Sequence, residues 1–284
     1  MLIRTGLYRI GAYLRHHLTA RNTGGHGVHS PYLFEWVRLV MNDENSYYAW
    51  DKIEDIRAQL LNDEWVVEFV DYGSGSPLRT SPSKGRSRDY RRVCDIAKGS
   101  LAKKKYAQML ARLVNWLGGM DNGNGVMGNG EGLTIVELGT SLGVTTAYLA
   151  AMDKRNKVIT YEGCPAVAEI AKANWKYLGI ENIECRVGEI NVETLAKDLQ
   201  RVDVAFIDAN HTHAGTRAYF KVLVEKMQRK SVLIVDDIHY NADMEKAWRE
   251  ICADDRVTST MDLYQMGLVF FDKDYWKKHY RMRI

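Results

Sequence analysis

The sequence has no uninterrupted apolar run approaching the roughly 18 residues that suggest a membrane span. Cysteine is scarce: Cys94, Cys164, Cys185 and Cys252 lie far apart and never form a CxxC pair, which argues against a zinc knuckle and a disulfide framework. The opening Met-Leu-Ile-Arg-Thr-Gly lacks a continuous apolar h-region and a small-residue cleavage site, so no secretory signal is expected and the cytoplasm is the expected compartment. Charge of one sign is lacking too. Lys+Arg number 39 and Asp+Glu 36, and a net charge of +3 is too small by itself to imply nucleic acid. No internal repeat or coiled-coil heptad is present. What is present is an ordinary globular composition, 46% hydrophobic and 26% charged, which excludes disorder as the main state and permits a substantial core. At roughly 100–200 residues per domain, such a length holds one large domain or two small ones.

Composition divides the chain at Gly118–Gly132, GGMDNGNGVMGNGEG, whose glycine and asparagine content reads as a flexible connector. Residues 1–117 form a mainly helical extension. Leu2, Leu7, Ile10, Leu14 and Leu18 recur at helical spacing, with Arg4, Arg9, Arg15 and Arg21 largely between them. Such a helix lies on a membrane surface or packs its stripe on its own domain, and the second is expected. Pro31 opens a second helix, PYLFEWVRLVMN, Ile53–Leu61 a third and Leu101–Leu117 a fourth.

From residue 133 onward the pattern alternates. Short β-rich runs at Thr134–Leu138, Lys157–Tyr161, Ile183–Val187, Val202–Ile207 and Val232–Val235 are separated by helical stretches. Serial strand–helix units mean a parallel sheet with helices on both faces. Two further strands, near Val257–Met261 and Gly267–Phe271, are joined too closely for a parallel crossover. The expected fold is α/β, a Rossmann-like, doubly wound, seven-stranded sheet with an antiparallel edge.

Ligands of such sheets bind beyond the carboxyl ends of the strands. After the first comes Glu137-Leu-Gly139-Thr140-Ser141-Leu-Gly143, a loop in which glycine lets backbone approach a ligand closely. It is neither GxGxxG nor a Walker loop, so phosphate binding is disfavoured. After the second strand stands Glu162, 23 positions beyond Gly139, where a carboxylate can accept both hydroxyls of a ribose.

Over about 133–271 the chain resembles the class I S-adenosylmethionine-dependent methyltransferases. VELGTSLG looks like their first motif, YEGCP their acidic second motif and CRVGE the adenine-side turn. VAFIDANHTHAGTRAYF and SVLIVDDIH resemble the fourth and fifth strands of the O-methyltransferase branch, which includes the catechol and caffeoyl-CoA enzymes. GHGVHSPYLFEWV resembles a bacterial methyltransferase group with a helical N-terminal extension. The resemblance implies S-adenosylmethionine as cofactor, with Glu137, Gly139, Thr140, Ser141 and Gly143 toward its methionine end. It places Glu162 and Gly163 at the ribose, Gly188 and Glu189 beside adenine, and Asp208 against the cofactor. A sulfonium cofactor with no phosphate suits carboxylates better than an anion-binding helix end.

Asp208 ends the fourth strand, and Asp236 and Asp237 end the fifth; three such oxygens plus waters suit Mg²⁺ or Ca²⁺. The metal-dependent relatives carry Asp-Asn where this chain has Asp236-Asp237. The alternative is that these acids serve the cofactor, cap a helix or make polar contacts only. His211, His213 and His239 follow the same strand ends and suit a general base, His239 first and His211 next. His16, His17, His26 and His29 read as structural.

Two features stand apart. Val66–Ser76, VVEFVDYGSGS, imitates a first motif but leads into no helix and no acid-ended strand, so it reads as a strand or turn entering a mobile basic loop over about 74–92. Residues 76–112 carry eleven basic residues against Asp89 and Asp95. That is a solvated face, a lid over an anionic substrate or a nucleic-acid patch, and its few aromatics give base stacking little support. The expected activity is O-methylation of a small-molecule hydroxyl. The alternatives are an RNA or protein methyltransferase using the basic stretch, and a catalytically silent cofactor-binding module; a homodimer is compatible with all three.

Overall fold

The computed structural model describes residues 2–45, 47–71, 87–119, 132–274 and 277–284. In chain order the helical half holds α1 (Leu2–Thr19), α2 (Pro31–Trp36, continued by a wider turn over Val37–Met41) and α3 (Ala49–Leu60). Strands β1 (Val66–Asp71) and β2 (Ser87–Arg92) follow, then α4 (Val93–Ser100) and α5 (Lys104–Gly119). The alternating half runs β3 (Thr134–Leu138), α6 (Val144–Ala150), β4 (Lys157–Glu162), α7 (Pro165–Leu178), β5 (Ile183–Val187), α8 (Val192–Asp198), β6 (Val202–Ile207) and α9 (His213–Val224). It ends with β7 (Met227–Asp236), α10 (Ala242–Ala253), β8 (Ser259–Asp262), β9 (Met266–Phe270) and β10 (Lys278–Arg281). No described helix is long and apolar enough to cross a membrane.

The α/β reading holds, with a mostly parallel sheet. Two compact units make it up. In Glu44–Asn191, β3, β4 and β5 run parallel in that order, with Val136 opposite Ile159 and Thr160 opposite Cys185. Ile183 and Cys185 of β5 pack against a core cluster that joins Trp50, Ile53 and Ile56 of α3, Ala107 and Ala111 of α5, and Val167, Ala171 and Trp175 of α7. Pro165 at the first turn of α7 and left-handed Gly179 at its end mark its limits. The second unit joins Met1–Asp43 to Val192–Ile284. Its strand order is β10-β8-β9-β7-β6. β9 is antiparallel to both neighbours, whereas β6 pairs with β7, and β8 with β10, in parallel.

Several expectations need correction. Among the described residues there is one strand beyond the seven expected, β10, which pairs with β8. The antiparallel strand β9 therefore lies inside its unit and is not the edge. Residues 87–92 of the expected basic loop are β2, antiparallel to β1; residues 72–86 lie outside the described residues. Gly118 and Gly119 belong to α5, and 120–131 of the expected connector lie outside the described residues.

The first helix is turned away from its expected face. Leu7, Ile10, Leu14 and Leu18 are 55–80% exposed, while Ala12 and His16 are buried. The small Ala12 lets the helix approach closely, and polar groups make the contacts: Tyr8 and Arg15 bond to Glu245, and Tyr13 meets Tyr264 edge-on. Directional bonds on one face prevail over the apolar stripe on another.

Candidate functional site

The loop after β3 is built by three residues with positive φ, Gly139 (103°), Ser141 (49°) and Gly143 (77°). Gly143 is required sterically, since a Cβ there would lie 2.7 Å from Trp175 Nε1 and 2.8 Å from Ala171 Cβ. Trp175 Nε1 donates to the Gly143 carbonyl at 2.8 Å, and Asn174 to that of Leu142 at 3.0 Å. The amides of Gly139 and Thr140 both donate to the Tyr161 carbonyl, fastening the loop to β4.

Glu162, the last residue of β4, clamps this loop. Its carboxylate accepts the Ser141 N–H at 2.7 Å on Oε2 and the Cys164 N–H at 2.8 Å on Oε1. Burial pushes its carboxyl up, opposed by these backbone donors and by Gly163. A carboxylate offers about four lone-pair positions, so acceptor capacity remains. The Gly188 amide donates to the Glu162 carbonyl at 2.8 Å, and Gly188 (φ 129°) has open space where a Cβ would stand. Glu189 beside it is exposed.

Glu137 lies under the loop and is wholly buried. Thr160, its register partner on β4, donates to Oε2 at 2.6 Å, and Thr146 of α6 donates to the same oxygen. Thr140 is linked to Thr160 at 2.5 Å, so one hydroxyl chain joins loop, strand and buried acid. Burial pushes the Glu137 carboxyl up to about 7, against the pull of the two threonines. Ser100, at the end of α4, meets Ser141 Oγ at 2.7 Å. Ser100, Thr146 and Thr160 escaped the sequence reading; only Thr160, facing an acid across a buried strand pair, carried a usable signal.

In the second unit, Asn210 (φ 51°) and Asp237 (φ 54°) follow the ends of β6 and β7 in strained backbone. Such non-glycine residues cluster at functional sites. Asp208 Oδ1 lies 3.7 Å from His211 Nε2. Burial pulls the His211 imidazole below its ordinary value, with the Asp237 charge acting the other way. Asp237 accepts from Gln265 Nε2 at 2.6 Å. Asp236 is buried with Oδ1 lacking a hydrogen-bond partner, and burial, then the Asp237 charge, push its carboxyl far up. Among the described residues, Asp208, Asp236 and Asp237 do not form a group of converging ligand atoms; His16, His239 and Asp262 do. His213 opens α9 and pairs with Glu250 at 2.9 Å. His239 Nε2 bonds to Asp262 at 3.0 Å in a buried setting.

Residues 136–238 match a family described as a methyltransferase domain. A 60-residue stretch is 40% identical to the protein-L-isoaspartate O-methyltransferase of Magnetococcus marinus; it is 21% of this chain, and the chain spans about a quarter of that relative's length (25%). Two solved structures share the fold. The O-methyltransferase from Bacillus cereus in complex with SAH aligns at TM-score 0.52 and 16% identity, over 82% of this chain and 95% of that one. The SAH-bound methyltransferase PaMTH1 from Podospora anserina aligns at 0.53 and 11%, over 83% and 93%. The resemblance read from the motifs therefore stands, and the fold is that of the class I methyltransferases.

Proposed function

We propose that this chain moves a methyl group from S-adenosylmethionine to an oxygen of a small-molecule acceptor. The observation that carries this reading is the Glu162 clamp, a carboxylate at the end of β4 that fixes the loop after β3 and keeps some acceptor capacity. That remaining capacity would take a ribose hydroxyl. Gly139, Thr140, Ser141 and Gly143 would present backbone to the methionine end, with Gly163 beside the ribose and Gly188 and Glu189 at adenine. Bound there, the cofactor supplies a methyl group on an electron-poor sulfonium. Glu137 positions the loop from beneath through Thr146, Thr160 and Thr140.

Of the histidines, His211 is suited to take the proton of an acceptor hydroxyl. Its lowered pKa leaves the ring neutral, and so basic, at neutral pH. Asp208, 3.7 Å from Nε2, favours the imidazolium once the proton arrives. The stretch shared with the isoaspartate enzyme favours a second reading, in which the acceptor oxygen is a protein carboxylate.

Incubation with methyl-labelled S-adenosylmethionine and separate panels of phenols, sugars and an isoaspartyl peptide tests both. His211→Gln should lower kcat by about 10²–10⁴-fold, the usual worth of a general base, with cofactor affinity unchanged. Label on the peptide alone would replace the small-molecule acceptor by the second reading. No label on any hydroxyl or carboxylate, or an unaltered kcat in the variant, would contradict the account.

A further inference from the structure

α1 is fastened to its own unit at a point on which the proposed function does not draw. His16 from its last turns, His239 from the segment after β7 and Asp262 at the end of β8 are 4%, 7% and 5% exposed. One nitrogen or oxygen from each lies within 4.8 Å of the others. His16 Nδ1 is 3.1 Å from Asp262 Oδ1, and His239 Nε2 is 3.0 Å from Asp262 Oδ2. Ligand atoms about 2.0–2.1 Å from a tetrahedral zinc stand roughly 3.3 Å from one another, close to these separations.

The orientation of His16 adds an independent observation. Its Nε2 lies 3.0 Å from the Met282 carbonyl, which can only accept, so Nε2 carries a proton. Nδ1 then faces the carboxylate, yet makes no hydrogen bond to it despite the short distance. A ring nitrogen so close to a carboxylate, but not aimed along the line between them, calls for positive charge beside it, from a metal ion or from a second proton on the ring. A ring nitrogen tied to a backbone carbonyl with its other nitrogen free for the ion is the usual arrangement of a metal-bound histidine. Ligating carboxylates are themselves hydrogen-bonded. Asp262 accepts from the Tyr264 amide at 2.9 Å, and from Arg281 Nε at 3.3 Å. The Tyr264 ring stacks on His239 with centroids 5.5 Å apart and meets His16 edge-on at 5.6 Å, closing the pocket.

We propose that His16, His239 and Asp262 form a binding site for one divalent transition-metal ion of the zinc type. Two imidazoles and a carboxylate suit zinc, cobalt or nickel rather than the all-oxygen ions. Three protein ligands leave one position of the tetrahedron for a water, and the burial of all three keeps a substrate from it. The site's work is to staple α1 to strands more than two hundred residues away in sequence. The proposal is independent of the reading of the methyl-transfer site.

The test uses the full chain, stripped with a chelator and dialysed, then titrated with Zn²⁺ against a chromophoric competitor and with Co²⁺ by absorption. The expected result is one tight equivalent, a tetrahedral Co²⁺ spectrum and a higher melting temperature with metal. Asp262→Asn and, separately, His239→Gln should lose that equivalent, the spectrum and the metal-dependent rise in melting temperature. If Asp262→Asn fails to fold, His239→Gln decides alone. No tight equivalent in the parent protein, or an equivalent that survives in a folded variant, overturns the proposal. A metal-free protein whose melting temperature responds to pH but not to zinc would show that protons bridge the cluster instead.

Discussion

Glu137 beneath the loop after β3 and Asp262 at the end of β8 are both withdrawn from solvent, yet their carboxyl groups are driven in opposite directions. Burial raises Glu137 to about 7, because its donors, the hydroxyls of Thr146 and Thr160, bring no charge. Burial works against ionisation of Asp262 as well, but His16 and His239 outweigh it and hold that carboxyl well below the usual carboxylate range. Arg281 stands beside the same group. Depth alone decides neither case; the charge of the partners does. The loop region thus stores a tunable acid, and the α1 anchor holds a fixed anion.

Asp262→Asn tests the anchor and should have the largest effect. Removing one partner of a buried charged set typically costs about 3–5 kcal/mol, because the rest is left uncompensated. Because the folded-state pKa is depressed, the stabilisation is present above the ordinary carboxylate range and is lost as pH falls below it. In metal-free protein, denaturant midpoints from pH 7 downward should show a steep acid loss that the variant lacks. Equal acid profiles would break the contrast.

Glu137→Gln tests the other side with the opposite sign. A raised folded-state pKa means stability that is full below about 4.5 and is lost as pH rises through about 7. The shift corresponds to about 3 kcal/mol at 1.36 kcal/mol per unit. The variant should therefore be the more stable protein at pH 8 and lose the advantage at pH 4, as urea unfolding would show. A variant less stable at pH 8 would mean that Glu137 is held charged.

The two regions also differ in how far they could be read from sequence. The loop side was legible because its determinants are local: Gly139 and Gly143 punctuate a strand-to-helix turn, and Glu162 ends a β-rich run. Strands β3 to β9 announced themselves by short apolar runs between helical stretches. β10 did not, since Lys-His-Tyr-Arg offers one buried side chain, Tyr280, in four residues. β2, Ser-Arg-Asp-Tyr-Arg-Arg, was hidden in the same way by its charge. The anchor was illegible for a different reason. His16, His239 and Asp262 meet only after folding, and no spacing in the chain encodes their encounter. The exposed stripe of α1 shows the same limit, because periodicity finds an apolar face without saying which face will be covered.

The smallest effect is expected there. Leu14→Ser on the exposed stripe should change unfolding free energy by no more than about 0.5 kcal/mol, as for other surface substitutions. A loss of several kcal/mol would show that the stripe is covered in solution.

The central claim is that Glu162 holds a cofactor while fixing the loop that embraces it. Titration calorimetry of S-adenosylmethionine into the parent protein and Glu162→Ala addresses it directly. The account predicts one site per chain, weakened in the variant by about 1.5–3 kcal/mol, the worth of hydrogen bonds to a charged group. No heat of binding in the parent protein, or equal affinity in a folded variant, would contradict it.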